Sequence, residues 1–568
     1  MAKPKRVFYK VAPIGSIKDL IAQAVVEGPD IIAYKYRKPD GSILEVTYKE
    51  FSDQTVWLGT GLYSLGVADR HVGCTGENSY NWICSYFTIL KSSGVFCSLD
   101  KDLPDDDMAN IVCDGDDEAI FCDAKREKLF MRIRDKIPNV KYFICFDRDE
   151  DEGEFLSFDK LMAKGKELYE AGERGYTKMS SDPNDLKMLV YTSGTTGLAK
   201  GVMLTEKNML SVPYWSMVTS TLRYKDVGLS VLPYHHCYES VAGLLPAIHF
   251  NMTLCINESL KRVLKNMTFY KPSYMYLVPA FVEVIYRRIW ANIDEKGKRK
   301  TVERGIKLSR TLLKSGIDVR RKLFADIHEA LGGRLEKIVC GGAPLRPEIG
   351  QFFEDIGITL CNGYGITECS PLVSVNADND CDPSTVGHVL PCTEVKIDNP
   401  NEDGEGEVLV KGDVVMKGYY KNPEATKEVF TEDGWFKTGD YGKLDELDRL
   451  LITGRKKNII ILGNGKNIYP EELESYIGRV PYVLESIVYG ARDEQGVEVA
   501  LCAEVLVDPA VMKNTDREQL KSKLKTDIMN SLSSLPAYKQ ITKIVVRETP
   551  FVKTTSNKIR RDKDGKPL

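Results

Sequence analysis

The chain has 568 residues, of which 43% are hydrophobic and 28% are charged, and its formal net charge is -4 with a pI near 6.1. This length predicts several domains, and the composition is typical of a soluble globular protein rather than a disordered one. The slight acidity provides no global electrostatic field for nucleic acid, which we exclude as an expected partner.

The cysteine pattern and the apolar runs indicate a cytoplasmic protein. The fourteen cysteines contain no CxxC pair, so we expect free thiols rather than disulfides or structural zinc. The first ten residues lack an apolar signal core. The most apolar window, Val241 to Ile256, is interrupted by His249 and Asn251 and is shorter than the roughly 20 residues that cross a bilayer. We therefore expect membrane contact to be peripheral at most, and no motif defines the oligomeric state.

The first two thirds of the chain alternate strand-like and helical patterns. Ser16 is placed to cap a helix, and Asp40-Gly41 is a hairpin turn. The alternation continues to about Tyr420 and predicts a sheet covered by helices. Each of three apolar strands runs into a Gly-rich turn: Leu186–Tyr191, Leu335–Cys340 and Ile358–Cys361. Because ligands bind where strand ends meet such turns, the three turns predict one composite site.

The last third of the chain changes character twice. From Thr385 to Leu451 it is Gly-punctuated and alternating, which predicts a small β unit. The tail then carries an apolar helical stripe that begins at Leu520, after a capping-box pattern formed by Thr515 and Glu518. Its predicted strands lie near Ile487–Tyr489, Val497–Val507 and Ile541–Val546. The predicted fold class is thus multi-domain α/β, with a large N-terminal domain of helix-covered sheets, a small β-barrel-like unit at about 385–451, and a small mobile α+β C-terminal domain.

The segment from Tyr191 to Gly201, YTSGTTGLAKG, is a candidate phosphate cradle. Its glycines let backbone N–H groups face an anion, its Ser and Thr hydroxyls add donors, and Lys200 adds a mobile positive charge. The GxxxxGK[ST] pattern of P-loop proteins is absent.

This segment resembles the signature of the acyl-adenylate-forming superfamily, which includes acyl-CoA synthetases, adenylation domains of peptide synthetases and firefly-type luciferases. Further segments resemble other motifs of that family in the expected order: Leu232–Glu239 the motif beside the acyl pocket, Gly341–Pro344 and Asn362–Glu368 the adenine and magnesium motifs, Gly434–Asp440 the ribose motif, Gly454–Asn458 the hinge, and Lys553–Lys558 the C-terminal lysine loop. The resemblance spans nearly the whole chain and is most like the long-chain fatty acyl-CoA synthetase branch.

The resemblance implies an ATP-dependent acid–CoA ligase that uses Mg²⁺. It would form acyl-AMP from a medium- or long-chain fatty acid with release of pyrophosphate, and then pass the acyl group to coenzyme A. It implies an N-terminal domain over residues 1–455, a hinge at 456–457 with Lys457 as the pivot, and a mobile domain over 458–568. The implied catalytic residues are Lys558, Thr192, Glu368 (also the magnesium ligand) and His236.

The resemblance also implies two binding sets. The ATP and AMP set is Thr192, Ser193, Gly194, Thr195, Thr196, Gly197, Lys200, Gly341, Gly342, Ala343, Asn362, Gly363, Tyr364, Gly365, Thr367, Asp440 and Arg455. The acyl-pocket set is Tyr234, His236, Cys237, Gly341 and Gly365. His235 is expected to be structural.

Two positions in the lysine loop depart from the family pattern. Asn557 stands where a glycine usually precedes the lysine, and Val552 stands where the loop usually starts with proline. Since asparagine tolerates left-handed backbone, we expect the loop geometry to survive. Lys553 falls too early in the motif to be the reactive lysine.

Alternatives stay open at this point. A fatty acyl-AMP ligase that feeds a carrier protein would share every adenylation residue, and a non-catalytic acyl- or nucleotide-binding regulator would keep the fold. An amino-acid adenylating enzyme is disfavoured because its pocket motif normally carries an aspartate. The basic insert from Trp290 to Arg321 is either a solvated amphipathic helical pair or a surface for a membrane or for the phosphates of coenzyme A.

Overall fold

The computed structural model describes residues 8–38, 40–192, 199–220, 222–378, 380–461, 467–492, 498–514, 516–553, 559–562 and 565–568. The chain divides into two compact units. Unit 1 comprises Met1–Val395 and Val410–Phe436, and unit 2 comprises Lys396–Leu409 and Lys437–Leu568.

The strands within the described residues are β1 Ile32–Arg37, β2 Ile43–Thr47, β3 His71–Thr75, β4 Val95–Ser98, β5 Ala119–Cys122, β6 Tyr142–Cys145, β7 Phe155–Ser157, β8 Leu186–Thr192, β9 Lys200–Thr205, β10 Val227–Ser230, β11 Thr253–Ile256, β12 Tyr274–Leu277, β13 Lys337–Cys340, β14 Thr359–Tyr364, β15 Ser374–Val375, β16 His388–Val389, β17 Thr393–Asp398, β18 Gly406–Gly412, β19 Gly418–Tyr419, β20 Phe436–Leu444, β21 Leu450–Arg455, β22 Ile460–Ile461, β23 Asn467–Ile468, β24 Val483–Arg492, β25 Glu498–Val507 and β26 Lys543–Arg547.

The helices in the same residues are α1 Ile17–Glu27, α2 Tyr48–Ser64, α3 Tyr80–Leu90, α4 Asp105–Asp114, α5 Ala124–Ile133, α6 Phe158–Glu170, α7 Gly175–Lys178, α8 Glu206–Thr219, α9 Cys237–Ser240, α10 Leu244–His249, α11 Val263–Tyr270, α12 Pro279–Glu295, α13 Arg299–Lys314, α14 Arg320–Leu323, α15 Ala325–Ala330, α16 Pro347–Ile356, α17 Pro423–Val429, α18 Pro470–Ile477, α19 Pro509–Asn514 and α20 Arg517–Ser531. None of the helices in the described part of the chain is both long and apolar enough to cross a bilayer.

Unit 1 contains two large sheets. As far as the chain is described, one has nine strands in the order β16-β15-β14-β13-β12-β10-β11-β1-β2, and the other has eight in the order β19-β9-β8-β4-β3-β5-β6-β7. Their central strands are parallel, and β5 and β12 are buried along their whole length. Continuous burial of this kind is typical of parallel strands whose two faces are both covered by helices. The predicted α/β class is confirmed.

The sequence-predicted local signals are found where the chain is described. Ser16 caps α1 by accepting a hydrogen bond from the backbone N–H of Asp19, and the Asp40-Gly41 turn joins the antiparallel pair β1 and β2. Each of the three strands predicted to run into a Gly-rich turn exists, as β8, β13 and β14.

The predicted small β unit forms a sheet in which the described strands have the order β17-β18-β20-β21. The boundary between the two compact units runs through this sheet, since β17 and β18 each have residues in both units. The sequence prediction instead places the boundary at residues 455–457. The Lys457 hinge stays a prediction.

Unit 2 also holds the sheet β24-β25-β26 and its helices. The predicted apolar stripe of α20 is buried in its core at Leu520, Leu524, Ile528 and Leu532. The start of this helix differs from the prediction. Its cap is Asp516, whose carboxylate accepts from the backbone N–H groups of Glu518 and Gln519, whereas Thr515 lies outside the described residues. An aspartate one position later competes well for the same N–H groups.

Candidate active site

The phosphate-cradle motif connects two neighbouring antiparallel strands. Thr192 ends β8 and lies opposite Lys200, the first residue of β9. One pair further along, Tyr191 lies opposite Gly201, and its hydroxyl donates to Asp114 Oδ2 at 2.7 Å. The predicted cradle residues between the strands, Ser193, Gly194, Thr195, Thr196 and Gly197, lie outside the described residues. The hairpin therefore fixes both ends of the cradle.

Tyr419 contacts two predicted site residues of opposite charge, Lys200 of the phosphate-cradle motif and Glu368 of the magnesium motif. The Nζ atom of Lys200 lies 5.1 Å from the centroid of the Tyr419 ring, and the Tyr419 hydroxyl donates to Glu368 Oε1 at 3.0 Å. Burial, reinforced by the Glu368 charge, raises the pKa of Tyr419 and keeps it a donor. Tyr419 was missed in the sequence. No local pattern marks it, because it lies in a two-residue strand whose pairing with β9 only the structure shows.

Glu368 lies in a single helical turn, Thr367–Cys369, and is half-buried. Its backbone carbonyl oxygen accepts a hydrogen bond from the backbone N–H of Met416 at 2.8 Å, which fixes the turn. Its Oε1 atom accepts a hydrogen bond from the Tyr419 hydroxyl. The described residues contain no cluster of three or more His, Cys, Asp or Glu that could hold a metal. One carboxylate with an oxygen to spare fits Mg²⁺, which keeps several waters and usually takes one or two carboxylates plus the phosphates of its substrate.

The turn after β14 leaves no space for a side chain. A Cβ atom on Gly365 would lie 1.7 Å from the carbonyl oxygen of Pro371, far inside contact distance. The chain folds back here, and Val373 N donates to the carbonyl of Tyr364, which is itself buried. This reversal presents Thr367 and Glu368 at the end of the strand.

The adenine-motif glycines come together because β13 and β14 are parallel neighbours, with Cys340 opposite Asn362. A Cβ on Gly341 would lie 3.3 Å from the carbonyl oxygen of Gly363 and equally close to the ring of Tyr238. Gly342 has φ +85°, a left-handed value that favours glycine. Gly342 and Ala343 are exposed.

Asn362 has bonds that the sequence did not predict. Its side-chain amide donates to the carbonyls of Pro383 at 3.1 Å and Thr385 at 3.4 Å, and its backbone N–H donates to Asn376 Oδ1 at 2.7 Å. Both amide hydrogens are therefore engaged within the fold. These bonds hold the segment after β15 against the end of β14, and the predicted nucleotide contact of Asn362 stays a prediction.

The pocket motif meets the magnesium motif at Cys237. The buried thiol of Cys237 forms a hydrogen bond with Thr367 and lies near Glu368. Burial raises the pKa of Cys237 to about 12, with the Thr367 bond acting in the opposite direction, so the thiol stays neutral. Tyr234 is also buried, with its hydroxyl 3.2 Å from Ser230 Oγ.

His235 and His236 stack, with ring centroids 4.4 Å apart. Burial, and next the neighbouring His236, lowers the pKa of His235 to about 3, so this imidazole is neutral at physiological pH. Its Nε2 atom lies 3.4 Å from Asp100 Oδ1. His236 is the residue just before α9, and Cys237 is the first residue of that helix.

Glu239, the last residue of this motif, is a buried carboxyl group. Its burial predicts that the unfolding free energy of the protein depends on pH. Burial raises its pKa to about 8, although Ser230 donates to Oε1, and Oε2 has no hydrogen-bond partner within the described residues. Because the folded pKa lies above the unfolded value, stability from this group is present at low pH and is lost as pH rises toward 8. Glu239→Gln should remove this loss, so that from pH 6 to pH 8 wild type loses about 2 kcal/mol more unfolding free energy than the variant.

Denaturant midpoints at the two pH values check this prediction. The exposed Glu432→Gln is the control and should keep the wild-type pH slope. Parallel slopes for wild type and Glu239→Gln would show that Glu239 is ionised in the folded protein.

The predicted ribose-binding pair lies in unit 2. Asp440 on β20 pairs with Arg455 on β21, and Arg455 Nε lies 3.0 Å from Asp440 Oδ1. Asp440 is buried, and its backbone N–H donates to Thr438 Oγ1 at 3.0 Å. Lys457 follows in the turn Lys456–Asn458, where burial, and next the charge of Arg455, lowers its pKa.

Lys558 lies outside the described residues, but the base of its loop is described. Lys553 and Ile559 form a β-bridge, Arg560 N donates to Val552 O at 2.8 Å, and Lys553 Nζ lies 2.6 Å from Glu485 Oε1. Phe551 is buried beside Ile559 in a small apolar cluster. The loop is thus closed at its base, and Lys553 is occupied by an ion pair.

Two sequence families match the chain. Residues 21–420 match the family described as AMP-binding enzyme, and residues 472–558 match the AMP-binding enzyme C-terminal domain. The chain is 30% identical over 489 residues to the long-chain-fatty-acid–CoA ligase FadD15 of Mycobacterium bovis, covering 82% of this chain and 78% of the relative. It is 30% identical to long-chain-fatty-acid–CoA ligase 1 of Cavia porcellus, covering 85% and 72%.

Solved structures share the fold at lower identity. The anthranilate CoA ligase AuaEII in complex with anthranoyl-AMP superposes with a TM-score of 0.76 at 19% identity, covering 98% of this chain and 96% of that one. The A-PCP didomain of a carboxylic acid reductase from Segniliparus rugosus, in complex with AMP, gives 0.78 at 22% identity, covering 97% and 79%. These likenesses support the α/β architecture with a small C-terminal domain.

Proposed function

Because the chain belongs to the AMP-binding enzyme family, in the branch of the long-chain acyl-CoA synthetases, we propose that it activates a medium- or long-chain fatty acid with ATP and transfers the acyl group to coenzyme A. The chain is an adenylate-forming acid ligase. The observation that supports the site assignment is a set of contacts. Tyr419 contacts Lys200 through its ring and Glu368 through its hydroxyl, and Cys237 forms a hydrogen bond with Thr367. These contacts join the phosphate, magnesium and acyl-pocket motifs in unit 1.

In the proposed first step, a carboxylate oxygen of the acid attacks the α-phosphorus of ATP. The bond from that phosphorus to the bridging oxygen breaks, pyrophosphate leaves with the electron pair, and a mixed anhydride remains. The protein must hold two anions in line and neutralise developing charge. We assign this to the Thr192–Gly197 cradle with Lys200 and to Lys558, with Thr367 as a donor to the α-phosphate. Mg²⁺ held by Glu368 would offset phosphate charge.

In the proposed second step, the coenzyme A thiol loses its proton to solvent and its sulfur attacks the acyl carbon; the bond from that carbon to the bridging oxygen breaks, and AMP leaves with that oxygen and the electron pair. The neutral His235 and Cys237 add no charge of their own beside the pocket. We assign the ribose to Asp440 and Arg455, and, as the resemblance implies, the acyl chain to the segments that contain Cys237 and Gly341.

The test is pyrophosphate release measured across acids, with and without coenzyme A. The proposal predicts acid-dependent pyrophosphate in both conditions, and acyl-CoA only when coenzyme A is present. Pyrophosphate without acyl-CoA would favour a ligase that feeds a carrier protein. The absence of acid-dependent pyrophosphate would favour a non-catalytic binding protein.

The acid preference gives a prediction of its own. Each methylene buried in an apolar tunnel contributes about 0.8 kcal/mol, so KM should fall about fourfold per added methylene until the tunnel is filled. We expect medium- and long-chain fatty acids to surpass acetate and every amino acid in kcat/KM. A series of saturated acids measures this. A flat series, or a maximum at acetate or an aryl acid, would contradict a fatty-acyl tunnel.

Glu368→Gln should raise the Mg²⁺ concentration for half-maximal turnover and lower kcat. The amide keeps the size of the side chain and an acceptor for the Tyr419 hydroxyl, but it loses the charge that favours a hard cation. We expect roughly a tenfold shift in the Mg²⁺ titration, by analogy with the loss of other ligand-site groups. The exposed Glu432→Gln is the matched control. An unchanged titration for Glu368→Gln would remove this residue from the metal site.

A further inference from the structure

The edge of the eight-stranded sheet in unit 1 brings three site residues onto neighbouring strands. Thr192 ends β8, Lys200 begins β9 opposite it, and Tyr419 ends β19 on the other side of β9. Strand β19 is only two residues long and pairs with β9 at Gly418 and Tyr419. Because so short a strand is weakly held by its ladder alone, other contacts must fix the orientation of Tyr419.

The sequence neighbours of these three residues form a second row across the same strands. Tyr191 lies opposite Gly201, and the backbone N–H of Tyr420 donates to the carbonyl of Gly201 at 2.8 Å. Successive side chains of a strand point to opposite faces, so this row lies behind the site residues. Both tyrosines pack on one apolar cluster with Cys97 and Leu189, and a Cβ on Gly201 would lie 3.2 Å from the Tyr191 ring. We refer to Tyr191, Gly201 and Tyr420 as the anchor row.

One turn accepts both hydroxyl groups of the anchor row. Tyr191 donates to Asp114 Oδ2 at 2.7 Å, and Tyr420 donates to Asp116 Oδ2 at 2.8 Å. Asp114 is the last residue of α4, and we refer to residues 114–116 as the α4 turn. Burial, and next the bond to the aspartate, raises the pKa of both tyrosines, so both stay donors at physiological pH. The α4 turn therefore holds the strands on both sides of β9.

Further contacts fix the α4 turn itself. Lys421 Nζ lies 2.7 Å from Asp116 Oδ1. His71 Nδ1 donates to the carbonyl of Gly115 at 2.6 Å, and its ring packs on Tyr420 with centroids 5.6 Å apart. Asp116 has φ +55°, a left-handed value that aspartate tolerates better than most residues. Backbone of this kind persists only where its surroundings determine it, and it is concentrated at functional sites.

Tyr420 and Tyr419 are consecutive, so the anchor row and the site move together. The ring of Tyr419 lies 5.1 Å from Lys200 Nζ, and its hydroxyl donates to Glu368 Oε1 at 3.0 Å. Because the two tyrosines point to opposite faces of the sheet, a rotation of β19 that released Tyr420 would draw the Tyr419 hydroxyl away from Glu368.

We propose that Asp116, acting through Tyr420, is a positioning residue for the phosphate end of the ATP site. Its bond to Tyr420 fixes β19, and Tyr419 then restrains the carboxylate of Glu368. This role rests on the proposed function, in which Glu368 holds Mg²⁺. Loss of the bond should weaken binding of the Mg²⁺–ATP complex and slow the first step. Thioester formation from acyl-AMP needs neither pyrophosphate nor its Mg²⁺ and should not depend on it.

Tyr420→Phe tests this role because it removes one hydroxyl and keeps the ring. Groups that orient a metal ligand typically cost roughly 10- to 100-fold when they are removed. We expect about tenfold weaker binding of MgATP and about a tenfold lower kcat/KM for pyrophosphate release. Calorimetric titration of the full-length protein with MgATP, without acid, measures the binding and needs no turnover. Acyl-CoA formation from supplied acyl-AMP should keep the wild-type rate.

Tyr482→Phe is the matched control, because it also removes a tyrosine hydroxyl that donates to an aspartate. Tyr482 donates to Asp527 Oδ2 at 2.6 Å within unit 2, and neither residue belongs to the predicted site. This variant should keep wild-type MgATP binding. Thermal unfolding of both variants shows how much stability each hydroxyl contributes. A purely structural role for Tyr420 would lower the unfolding temperature and leave MgATP binding by the folded protein unchanged.

Asp116→Gly provides a second variant, since glycine accepts the left-handed backbone and removes the acceptor. If Asp116 and Tyr420 act through one bond, the double variant should bind MgATP no more weakly than Asp116→Gly alone. Additive losses in the double variant would overturn the proposal, as would wild-type MgATP binding by Tyr420→Phe or equal loss of both its half-reactions. Absence of acid-dependent pyrophosphate from wild type would contradict the proposed function alone, because the calorimetric comparison would still test the positioning role.

Discussion

Lys558→Ala is expected to abolish acyl-AMP formation while thioester formation from supplied acyl-AMP continues. The lysine would neutralise the charge that develops between the carboxylate and the α-phosphate, a contribution that exists only in the first step. Removing one such group typically costs roughly 10²- to 10³-fold in rate. Pyrophosphate release and acyl-CoA formation from supplied acyl-AMP are measured on one purified variant.

Lys553→Ala is the matched control for this prediction. It removes a lysine from the same loop, but one that already pairs with Glu485 at 2.6 Å, and the β-bridge from Lys553 to Ile559 is a backbone feature that alanine can keep. We expect it to retain adenylation within about threefold, the scale of a partly exposed ion pair. Equal loss of both half-reactions in Lys558→Ala would show that the lysine is not specific to adenylation. A larger loss in Lys553→Ala would exchange the two assignments.

Lys457→Pro is expected to leave adenylation largely intact and to collapse thioester formation. Lys457 is the second residue of the turn Lys456–Asn458, where proline is tolerated because the first turn does not use its N–H groups. Proline would fix φ near roughly −65° and so prevent a large backbone rotation at this residue. If the small domain must turn between the two steps, the second step loses its conformation. Lys457→Ala, which removes the charge and leaves the backbone free, should retain both steps.

A pivot at Lys457 stays a prediction, because the division into compact units places this residue inside unit 2. The boundary between the compact units is crossed three times, after Val395, Leu409 and Phe436, and these crossings fall in or next to strands of one sheet. Rotation at those points would shear hydrogen-bonded strands, whereas the chain passes Lys457 once, between β21 and β22 and within unit 2. A rotation at Lys457 would have to break contacts within unit 2 and form them again, such as the hydrogen bond from Asn458 Nδ2 to Glu471 Oε1 at 2.6 Å.

Two half-reactions again decide the outcome. Wild-type acyl-CoA formation by Lys457→Pro would exclude a pivot at this residue. Loss of adenylation alone would mean that the resting arrangement serves the thioester step.

The sequence predicted the features that depend on local pattern. The strands β8, β13 and β14 are mainly apolar segments that end in Gly-rich turns, and parallel pairing brings the second and third turns together at Gly341 and Gly363. A strand that is covered by helices on both faces needs mostly apolar residues, so the sequence pattern was enough to predict these strands.

Features that depend on long-range packing were not predictable. Tyr419 reaches Glu368, 51 positions away in sequence, only because β19 pairs with β9. Asn362 bonds Pro383 and Thr385 because the segment after β15 turns back to β14. The spacing of apolar residues in the sequence does not indicate either contact. The cap of α20 was misread for a local reason, since Asp516 and Thr515 are both good caps and only the backbone selects between them.

The central claim is that a carboxylate oxygen attacks the α-phosphorus of ATP. The direct test supplies a fatty acid labelled with ¹⁸O in its carboxylate, together with ATP, Mg²⁺ and coenzyme A, and analyses the nucleotide product by mass spectrometry. The claim predicts AMP that carries one labelled oxygen in its phosphate, formed in equal amount with acyl-CoA. Unlabelled AMP, or ADP with labelled inorganic phosphate, would contradict it, because the acid would then not have been joined to AMP.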